Sequence, residues 1–210
     1  MDGTLLDSMP EWKRAAENFL ARYGIVPDAE IYDFFMTHPV FEVGEYLKHR
    51  FALHGTAKEL AEEINAAVED AYIHNIQPKP HVLQMLEFLK SKGVKMAVAT
   101  ASDRHLAQAV FRRTGILPYL DGIVTCSDVG RGKSHPDVYY AAAELLGIEK
   151  ENTAVMEDAL YAAVTAAKAG FFVIGVKEDT MSGDEPELKE TVHLYIEDAK
   201  EIYTKAGNLF

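Results

Sequence analysis

Four short polar stretches of this sequence carry residue types that can bind and transfer a phosphoryl group. They read MDGTLLDS, ATAS, GKSHPD and VMED, at residues 1–8, 99–102, 132–137 and 155–158. Together they supply an acidic turn, hydroxyl groups, a lysine and two adjacent carboxylates. Phosphoryl transfer depends mainly on positioning and on stabilising the charge spread over the phosphoryl oxygens. This inventory therefore indicates a site for a phosphoryl group together with a divalent metal ion.

Each stretch also has a purely structural interpretation. A threonine such as Thr100 often serves as a turn residue at a strand end, and Lys133 alone could be a solvated surface charge. The Glu157–Asp158 pair could cap the following helix, where acidic residues interact favourably with the helix dipole. In the functional interpretation, a lysine is a compact point charge with three donors, and a hard cation such as Mg²⁺ neutralises adjacent carboxylates. Their order at successive strand ends favours the functional interpretation.

The elements that must position these residues are predicted from the part of the chain after Pro80. There, short apolar runs alternate with amphipathic helices, which indicates an α/β fold with a Rossmann-like parallel sheet wound by right-handed crossovers. Ligands bind at the carboxyl ends of the strands of such sheets, so the polar stretches are expected to meet there. The predicted strands are VKMAVAT (94–100), GIVTC (122–126), TAVMED (153–158), FFVIGV (171–176) and HLYIED (193–198), followed by a closing helix.

The first part of the chain is predicted to be helical. Pro10 suits the first turn of a helix that ends near Gly24, Thr56 and Glu59 have the spacing of a capping box, and QPKP (77–80) ends the last helix. We therefore predict an all-helical insertion in the α/β unit. The predicted domains are an α/β core of residues 1–10 and 79–210, and a helical cap domain of residues 11–78.

Composition limits the possible partners and the cellular location. There are 21 Lys and Arg against 33 Asp and Glu, a net charge of -12, so the clustered cations that bind nucleic-acid phosphates are not expected. The single cysteine, Cys126, excludes an internal disulfide and a four-thiolate zinc site. Without an apolar membrane-spanning run or a signal pattern, we expect a cytoplasmic protein with no membrane partner. The acidic stretch SGDEPE (182–187) is predicted to be a solvated loop. The oligomeric state is left open, with a monomer favoured.

The four ordered motifs resemble those of the haloacid dehalogenase-like (HAD) hydrolases, in the phosphatase and β-phosphoglucomutase-like branch with a helical cap. Residues 2–8 match the second half of the family's opening DxDGTLxDS motif, Thr100 matches the second motif, Lys133 the third, and Glu157–Asp158 the fourth. The resemblance covers essentially the whole chain. It implies that a nucleophilic aspartate, carried on the first sheet strand, belongs immediately before Met1. We therefore expect this chain to be truncated at its N-terminus, with that strand missing and its neighbours left with unpaired edges.

The resemblance also implies roles for individual residues. Asp2 would be the general acid and base, with its backbone carbonyl facing the metal. Glu157 and Asp158 would hold Mg²⁺, and Thr100 and Lys133 would bind the transferring phosphoryl group. Residues expected to contact the substrate are Gly3, Thr4, Ala101, Ser102, Trp12 and His38.

The function predicted from this resemblance is a Mg²⁺-dependent phosphatase that hydrolyses a small phosphorylated metabolite through an aspartyl-phosphate. An aspartate at position 2 favours phosphatase chemistry over carbon–halogen cleavage, because a leaving oxygen needs a proton. One alternative is a catalytically inactive protein that binds a phosphorylated ligand. The other is a sugar-phosphate mutase of the β-phosphoglucomutase type, which is disfavoured because FFMTHPVFEVGEYL (34–47) contains no arginine to bind a distal phosphate.

Overall fold

Five short parallel strands form two separate sheets in the structure, a computed structural model that describes residues 1–205. In one sheet, β1 (Ala97–Thr100) pairs with β2 (Gly122–Thr125). In the other, the order is β3-β4-β5, with β3 (Ala154–Glu157) and β5 (Leu194–Ile196) on either side of β4 (Phe172–Val176). The predicted α/β class with parallel strands is confirmed.

Each strand lies within one of the predicted apolar runs and is shorter than it, and the difference at the end of β2 has a local cause. The run GIVTC was predicted as strand to Cys126, but β2 ends at Thr125. There the Thr125 hydroxyl accepts the backbone N–H of Asp128 at 3.2 Å, and the Asp128 carboxylate accepts the N–H of Thr125 at 2.6 Å. This capping box starts a one-turn helix at Cys126, whose side chain is fully buried.

Seven α-helices accompany the strands in the described part of the chain after residue 80. Most have a buried apolar face and pack on the sheets. In chain order they are α5 (Val82–Ser91), α6 (Arg104–Thr114), α7 (Cys126–Val129), α8 (Asp137–Leu146), α9 (Leu160–Lys168), α10 (Glu185–Thr191) and α11 (Ile202–Lys205). Across residues 1–205, no helix combines the length and apolarity needed to cross a membrane. Residues 206–210 of the predicted core lie outside the described residues.

The acidic stretch SGDEPE is predicted from sequence to be a solvated loop, but in the structure only part of it is a loop. Helix α10 begins at Glu185, with a proline in its first turn, where the missing N–H is not needed. Its Leu188 is 2% exposed and packs in a core cluster with Ala163 and Ala166 of α9. Burial of one leucine therefore orders a segment whose composition indicates a solvated loop.

Residues 9–75, which we call the helical segment, contain four α-helices and a short π-helix. Their bounds are α1 (Met9–Arg22), α2 (Ala29–Thr37), α3 (Val40–Phe51), α4 (Ala57–Asp70) and the π-helix Ala71–Asn75. The predicted capping box starts α4, since Glu59 N donates to the Thr56 hydroxyl at 3.2 Å and Thr56 N donates to the Glu59 carboxylate at 2.7 Å. The predicted interruption at QPKP is also present, directly after the π-helix.

Two chain segments that pair with each other join the helical segment to the sheets. The backbone N–H of Asp7 donates to the carbonyl of Gln77 at 3.0 Å, and that of Lys79 to the carbonyl of Leu5 at 2.9 Å. The ammonium of Lys79 donates to the carbonyls of Gly3 (2.7 Å) and Lys177 (2.6 Å). This one lysine therefore ties both connections to the chain that follows β4.

Gly44 allows helices α3 and α4 to pack closely. A Cβ atom at this position would overlap the backbone carbonyl oxygen of Ala57 and lie 3.2 Å from the N atom of Ala61. Neither backbone atom can rotate away, so we expect Gly44→Ala to destabilise the protein. The cost of overpacking, about 1–3 kcal/mol, should exceed the gain of about 1 kcal/mol from replacing glycine in a helix.

Urea unfolding would measure this difference. Gly183→Ala is the matched control, because a Cβ there meets no atom within 4 Å, and its effect should stay within about 0.5 kcal/mol. A Gly44→Ala protein as stable as the wild type would contradict the described packing of α3 on α4.

Candidate functional site

Residues 1–4 lie between the carboxyl ends of β1 and β3. On one side, the Ser102 hydroxyl, just beyond β1, donates to Asp2 Oδ2 at 2.7 Å. On the other side, the Thr4 hydroxyl donates to Asp158 Oδ1 at 2.5 Å, just beyond β3. The N-terminal, second and fourth motifs are therefore in direct contact, although 154 positions separate Thr4 from Asp158.

A tight turn at Gly3 makes this contact possible. Its φ angle is +68°, in the left-handed region that glycine adopts without steric cost. A Cβ at this position would overlap Asp158 Oδ2. Glycine is thus required both by its backbone conformation and by the close approach of the Asp158 carboxylate.

The carboxylate of Asp2 receives three hydrogen bonds from side chains. Ser8 donates to Oδ1 at 2.7 Å, Ser102 donates to Oδ2, and the hydroxyl of Tyr72 donates to Oδ1. Tyr72 is completely buried and in turn accepts the indole N–H of Trp12 at 2.8 Å. Since the helical segment supplies Tyr72 and Trp12, it contributes directly to holding Asp2.

Lys133 forms a buried ion pair with Glu157. Its ammonium lies 2.5 Å from Glu157 Oε1, which also accepts the hydroxyl of Tyr139 at 2.8 Å. Burial alone would lower the pKa of Lys133, but the Glu157 carboxylate outweighs it and leaves the pKa above its usual value. Lys133 is therefore a fixed positive charge whose two other ammonium hydrogens are available to a ligand.

Asp158 is buried directly beside Glu157. Burial and the neighbouring Glu157 charge raise the pKa of Asp158 to about 6, against the opposing effects of the Met1 amino group, the Thr4 hydroxyl and Lys133. The Met1 amino group is also buried, and its pKa is lowered by that burial and by Lys133. The site thus concentrates carboxylates and a few cations where water screens them little.

The donor set fits a magnesium ion. Asp158 Oδ2 accepts no hydrogen bond from the described residues. Lys133 and Tyr139 both bond to Oε1 of Glu157, so its Oε2 atom likewise accepts none from the described residues. Mg²⁺ is commonly held by one or two carboxylates, with water and phosphate oxygens completing its shell. Among the described residues, no group of three or more His, Cys, Asp or Glu side chains is placed to hold a metal alone.

The loop after β1 carries the other predicted phosphate contacts. Ser102 N donates to the Thr100 hydroxyl oxygen at 3.1 Å, so the Thr100 hydroxyl hydrogen is left to donate elsewhere. Thr100 is buried, with 1% of its surface exposed. Ala101, between them, packs against one of the core clusters.

The two aromatic residues predicted to contact substrate have different surroundings. The Trp12 indole is buried and bonded to Tyr72. The ring of His38 stacks on Phe34 with centroids 3.8 Å apart and bonds to Thr37. Four residues after His38, Glu42 accepts the backbone N–H of Gly132 at 3.0 Å. The helical segment therefore contacts the Lys133 loop through Glu42.

Sequence reasoning missed three residues that hold the site together. Tyr72 binds Asp2, Tyr139 binds Glu157, and Lys79 binds the carbonyl of Gly3. Tyr72 and Tyr139 lie within helical patterns, where an aromatic residue is usually assigned to the core. Lys79 lies in QPKP, which carries only a helix-ending signal. Their partners are distant in sequence, so spacing alone gives no indication of these contacts.

Comparison with known proteins gives matches over most of the chain. Residues 1–170 match the family model described as haloacid dehalogenase-like hydrolase. Hexitol phosphatase A of Escherichia coli (strain K12) is 31% identical over 191 residues, which cover 90% of this chain and 85% of the relative. Fructose-1-phosphate phosphatase YqaB of the same organism is 26% identical over 179 residues, covering 84% and 93%. The crystal structure of a hydrolase from Pseudomonas syringae superposes with a TM-score of 0.83 at 23% identity, covering 99% of this chain and 95% of that one.

Asp158 should destabilise the metal-free protein at neutral pH. Its folded-state pKa of about 6 lies above the ordinary value of 3.8, so folding favours the protonated form. Charged Asp158 lowers the free energy of unfolding by its full amount above about pH 6, and this destabilisation decreases as the pH falls toward 3.8. Asp158→Asn should therefore raise the free energy of unfolding by about 1–3 kcal/mol near neutral pH, and by much less in mild acid.

Urea unfolding in the presence of a chelator would measure both values. Asp128→Asn provides a control of opposite sign, because hydrogen bonds from Thr125 and the charge of Arg104 outweigh burial and lower the pKa of Asp128. That variant should lose stability at neutral pH. If Asp158→Asn were also destabilising at both pH values, the described burial of a strained carboxylate would be wrong.

Proposed function

Because this chain belongs to the haloacid dehalogenase-like hydrolase family, we propose that it is a Mg²⁺-dependent phosphatase acting on a small phosphorylated sugar or sugar alcohol. The observation that carries the proposal is the convergence of Asp2, the Lys133–Glu157 ion pair and Asp158 at one edge of the sheets. The names of the relatives, a hexitol phosphatase and a fructose-1-phosphate phosphatase, support the substrate class. In this proposal residues 11–78 form the cap domain, and residues 1–10 and 79–210 form the core.

The proposed nucleophile is an aspartate immediately before Met1. Residues 1–4 run between the ends of β1 and β3, which are not hydrogen-bonded to each other. A strand leading into Met1 would pair between them and end beside the Asp2 turn. Met1 is buried, and the charges of Lys133 and Asp158 act on its backbone nitrogen, which supports the same position for the reacting carboxylate.

The proposed reaction has two steps. In the first, the nucleophilic carboxylate forms a bond to phosphorus while the bond from phosphorus to the substrate oxygen breaks, and Asp2 gives that oxygen a proton. In the second, Asp2 takes a proton from water, whose oxygen attacks phosphorus and releases inorganic phosphate and the carboxylate. Asp2 suits both steps because its carboxylate lies one turn beyond the proposed nucleophile, where Ser8 and Ser102 orient it.

The remaining residues bind and stabilise the phosphoryl group. Lys133 presents its charge and two ammonium hydrogens, while its bond to Glu157 fixes its position. The Thr100 hydroxyl supplies a further donor, and Ser102 N holds its oxygen. Glu157, Asp158 and the Asp2 carbonyl would hold Mg²⁺, which, when bound, offsets the negative charge of the phosphoryl oxygens.

Two other functions are weaker candidates. A mutase needs to hold a second phosphate group, but the helical segment brings the carboxylate of Glu42 to the Lys133 loop, and residues 34–47 contain no arginine. An inactive phospho-ligand binding protein would have no need to bury Asp158 beside Glu157 at a cost in stability.

The buried single thiol of Cys126 fits the reducing cytoplasm that we propose as the location.

Replacing the proposed acid and base should abolish turnover. Asp2→Asn, in protein that carries the residues preceding Met1, should lower kcat for a hexitol phosphate by about 10²- to 10⁴-fold, the usual contribution of general acid–base catalysis. Phosphate release under saturating substrate would measure it. Asp7→Asn is the control, because Asp7 lies five residues further on and is exposed. Equal activity in Asp2→Asn and Asp7→Asn would rule out the proposed role of Asp2.

Magnesium affinity should depend on the protonation of Asp158. Protons compete with the metal for this carboxylate, whose pKa is raised to about 6. Titration calorimetry should show Mg²⁺ binding weakened about tenfold between about pH 7.5 and about pH 5. Asp158→Asn should bind weakly at both pH values. Affinity that is independent of pH in the wild type would indicate that Asp158 is not a ligand.

A further inference from the structure

Three side chains form a chain of hydrogen bonds that leads from the helical segment to the proposed acid and base. Trp12 of α1 donates to the hydroxyl of Tyr72 at 2.8 Å, and that hydroxyl donates to Asp2 Oδ1. We propose that Tyr72 is a positioning residue, which aims the Asp2 carboxylate at the leaving oxygen and is itself oriented by Trp12. This inference rests on the proposed role of Asp2 in the phosphatase reaction.

The direction of the chain follows from the chemistry of its groups. The Trp12 indole N–H can only donate, so the Tyr72 hydroxyl oxygen accepts from it and the single hydroxyl hydrogen is donated to Asp2. Burial and the Asp2 charge raise the pKa of Tyr72 well above its usual value, so the hydroxyl keeps its proton. Ser102 lies 3.5 Å from the same hydroxyl, too far to compete with the shorter bond to Asp2.

The backbone around Tyr72 is specialised and fixed. Tyr72 lies in the π-helix Ala71–Asn75, a wider turn that is rare and frequently found at functional sites. Arg113 of α6 donates to the carbonyl oxygens of Ile76 and Tyr72, the latter at 3.4 Å. The arginine thereby satisfies carbonyls near the end of the turn and ties Tyr72 to the core. Trp12 approaches from the other connection of the helical segment.

This arrangement makes the orientation of Asp2 depend on both connections of the helical segment. Asp2 Oδ1 is held by Ser8, at the start of α1, and by Tyr72, at the end of the segment. Edge-on packing of the Trp12 and Tyr72 rings, with centroids 6.2 Å apart, fixes their relative orientation. A shift of α1 would therefore disturb the bond from Tyr72 to Asp2, and with it the direction in which the proton is delivered.

A leaving-group comparison separates positioning of a proton donor from general structural support. Sorbitol 6-phosphate releases an alkoxide that needs a proton, whereas p-nitrophenyl phosphate releases a stable phenolate that does not. In protein that carries the residues preceding Met1, Tyr72→Phe should lower kcat/KM for sorbitol 6-phosphate by about ten- to a hundredfold, the effect of one hydrogen bond to a charged group. For p-nitrophenyl phosphate kcat/KM should be nearly unchanged, because kcat/KM does not include the second step, in which Asp2 activates water for both substrates alike.

Two further variants complete the kinetic test. Tyr23→Phe is the matched control, because the Tyr23 hydroxyl bonds to Glu63 within the helical segment, and it should behave as the wild type. Trp12→Phe keeps an aromatic ring but removes the donor to Tyr72, so it should show the same substrate split to a smaller extent. An equal loss of activity on both substrates in Tyr72→Phe and Trp12→Phe would show that Tyr72 has only a structural role, and would overturn the proposal.

A spectroscopic test is independent of turnover. Trp12 is the only tryptophan, so its indole N–H gives a single resonance in a ¹H–¹⁵N spectrum. That resonance should move upfield in Tyr72→Phe, where the acceptor is gone. Asp2→Asn should also shift it in the wild-type background, because Tyr72 transmits the change, but should have no effect in Tyr72→Phe.

The two tests distinguish the failure of each proposal. If sorbitol 6-phosphate and other phosphate esters are not hydrolysed but the indole shows the coupling, the phosphatase function fails while the hydrogen-bonded chain from Trp12 to Asp2 stands. If the enzyme turns over but the indole does not respond to Tyr72→Phe, the chain is wrong and the positioning role of Tyr72 falls with it.

Discussion

Like charges are concentrated at the edge between the two sheets, and the structure depends on how these charges are compensated. Glu157 and Asp158 are adjacent and buried, and the Asp158 carboxylate lies against the Gly3 turn that follows Asp2. Such carboxylates repel each other and lose their hydration. Lys133 and the hydroxyl of Tyr139 compensate Glu157, the hydroxyl groups of Thr4, Ser8 and Ser102 compensate the other two, and Asp158 keeps a raised pKa. The remaining excess of negative charge is what a divalent cation would neutralise.

The rest of the fold supports this arrangement. The parallel strands deliver the second, third and fourth motifs to one edge, and the Gly3 turn brings the first motif against the fourth. Lys79 fixes the carbonyl of Gly3, while the paired connections at residues 5–7 and 77–79 attach the helical segment beside the site. The helical segment in turn makes two contacts with the site, one between Tyr72 and Asp2 and one between Glu42 and Gly132. The candidate site, the core and the helical segment are thus linked by a few polar contacts.

Much of the fold could be predicted from local sequence patterns, because those patterns report local physics. Apolar runs marked the five strands, and the spacing of Thr56 and Glu59 marked the start of α4. The prediction failed in two places, one decided by a local capping box and the other by a contact between two helices. Strand β2 stops before Cys126 because Thr125 and Asp128 cap a helix there, and the chain is helical from Glu185 because Leu188 is buried against α9. For the site, the motif residues could be named in advance, but Tyr72, Tyr139 and Lys79 could not, since their role comes entirely from tertiary contacts.

The central claim is that Asp2 acts on an aspartyl-phosphate formed just upstream of it. The most direct measurement is the intact mass and peptide map of native protein, including any residues before Met1, quenched in acid during turnover of a sugar phosphate with Mg²⁺. The account predicts one acid-stable phosphoryl group on an aspartate preceding Met1, which accumulates in Asp2→Asn because that variant cannot activate water. A phosphoryl group on Asp2 itself, or turnover with no phosphorylated protein in either form, would contradict it.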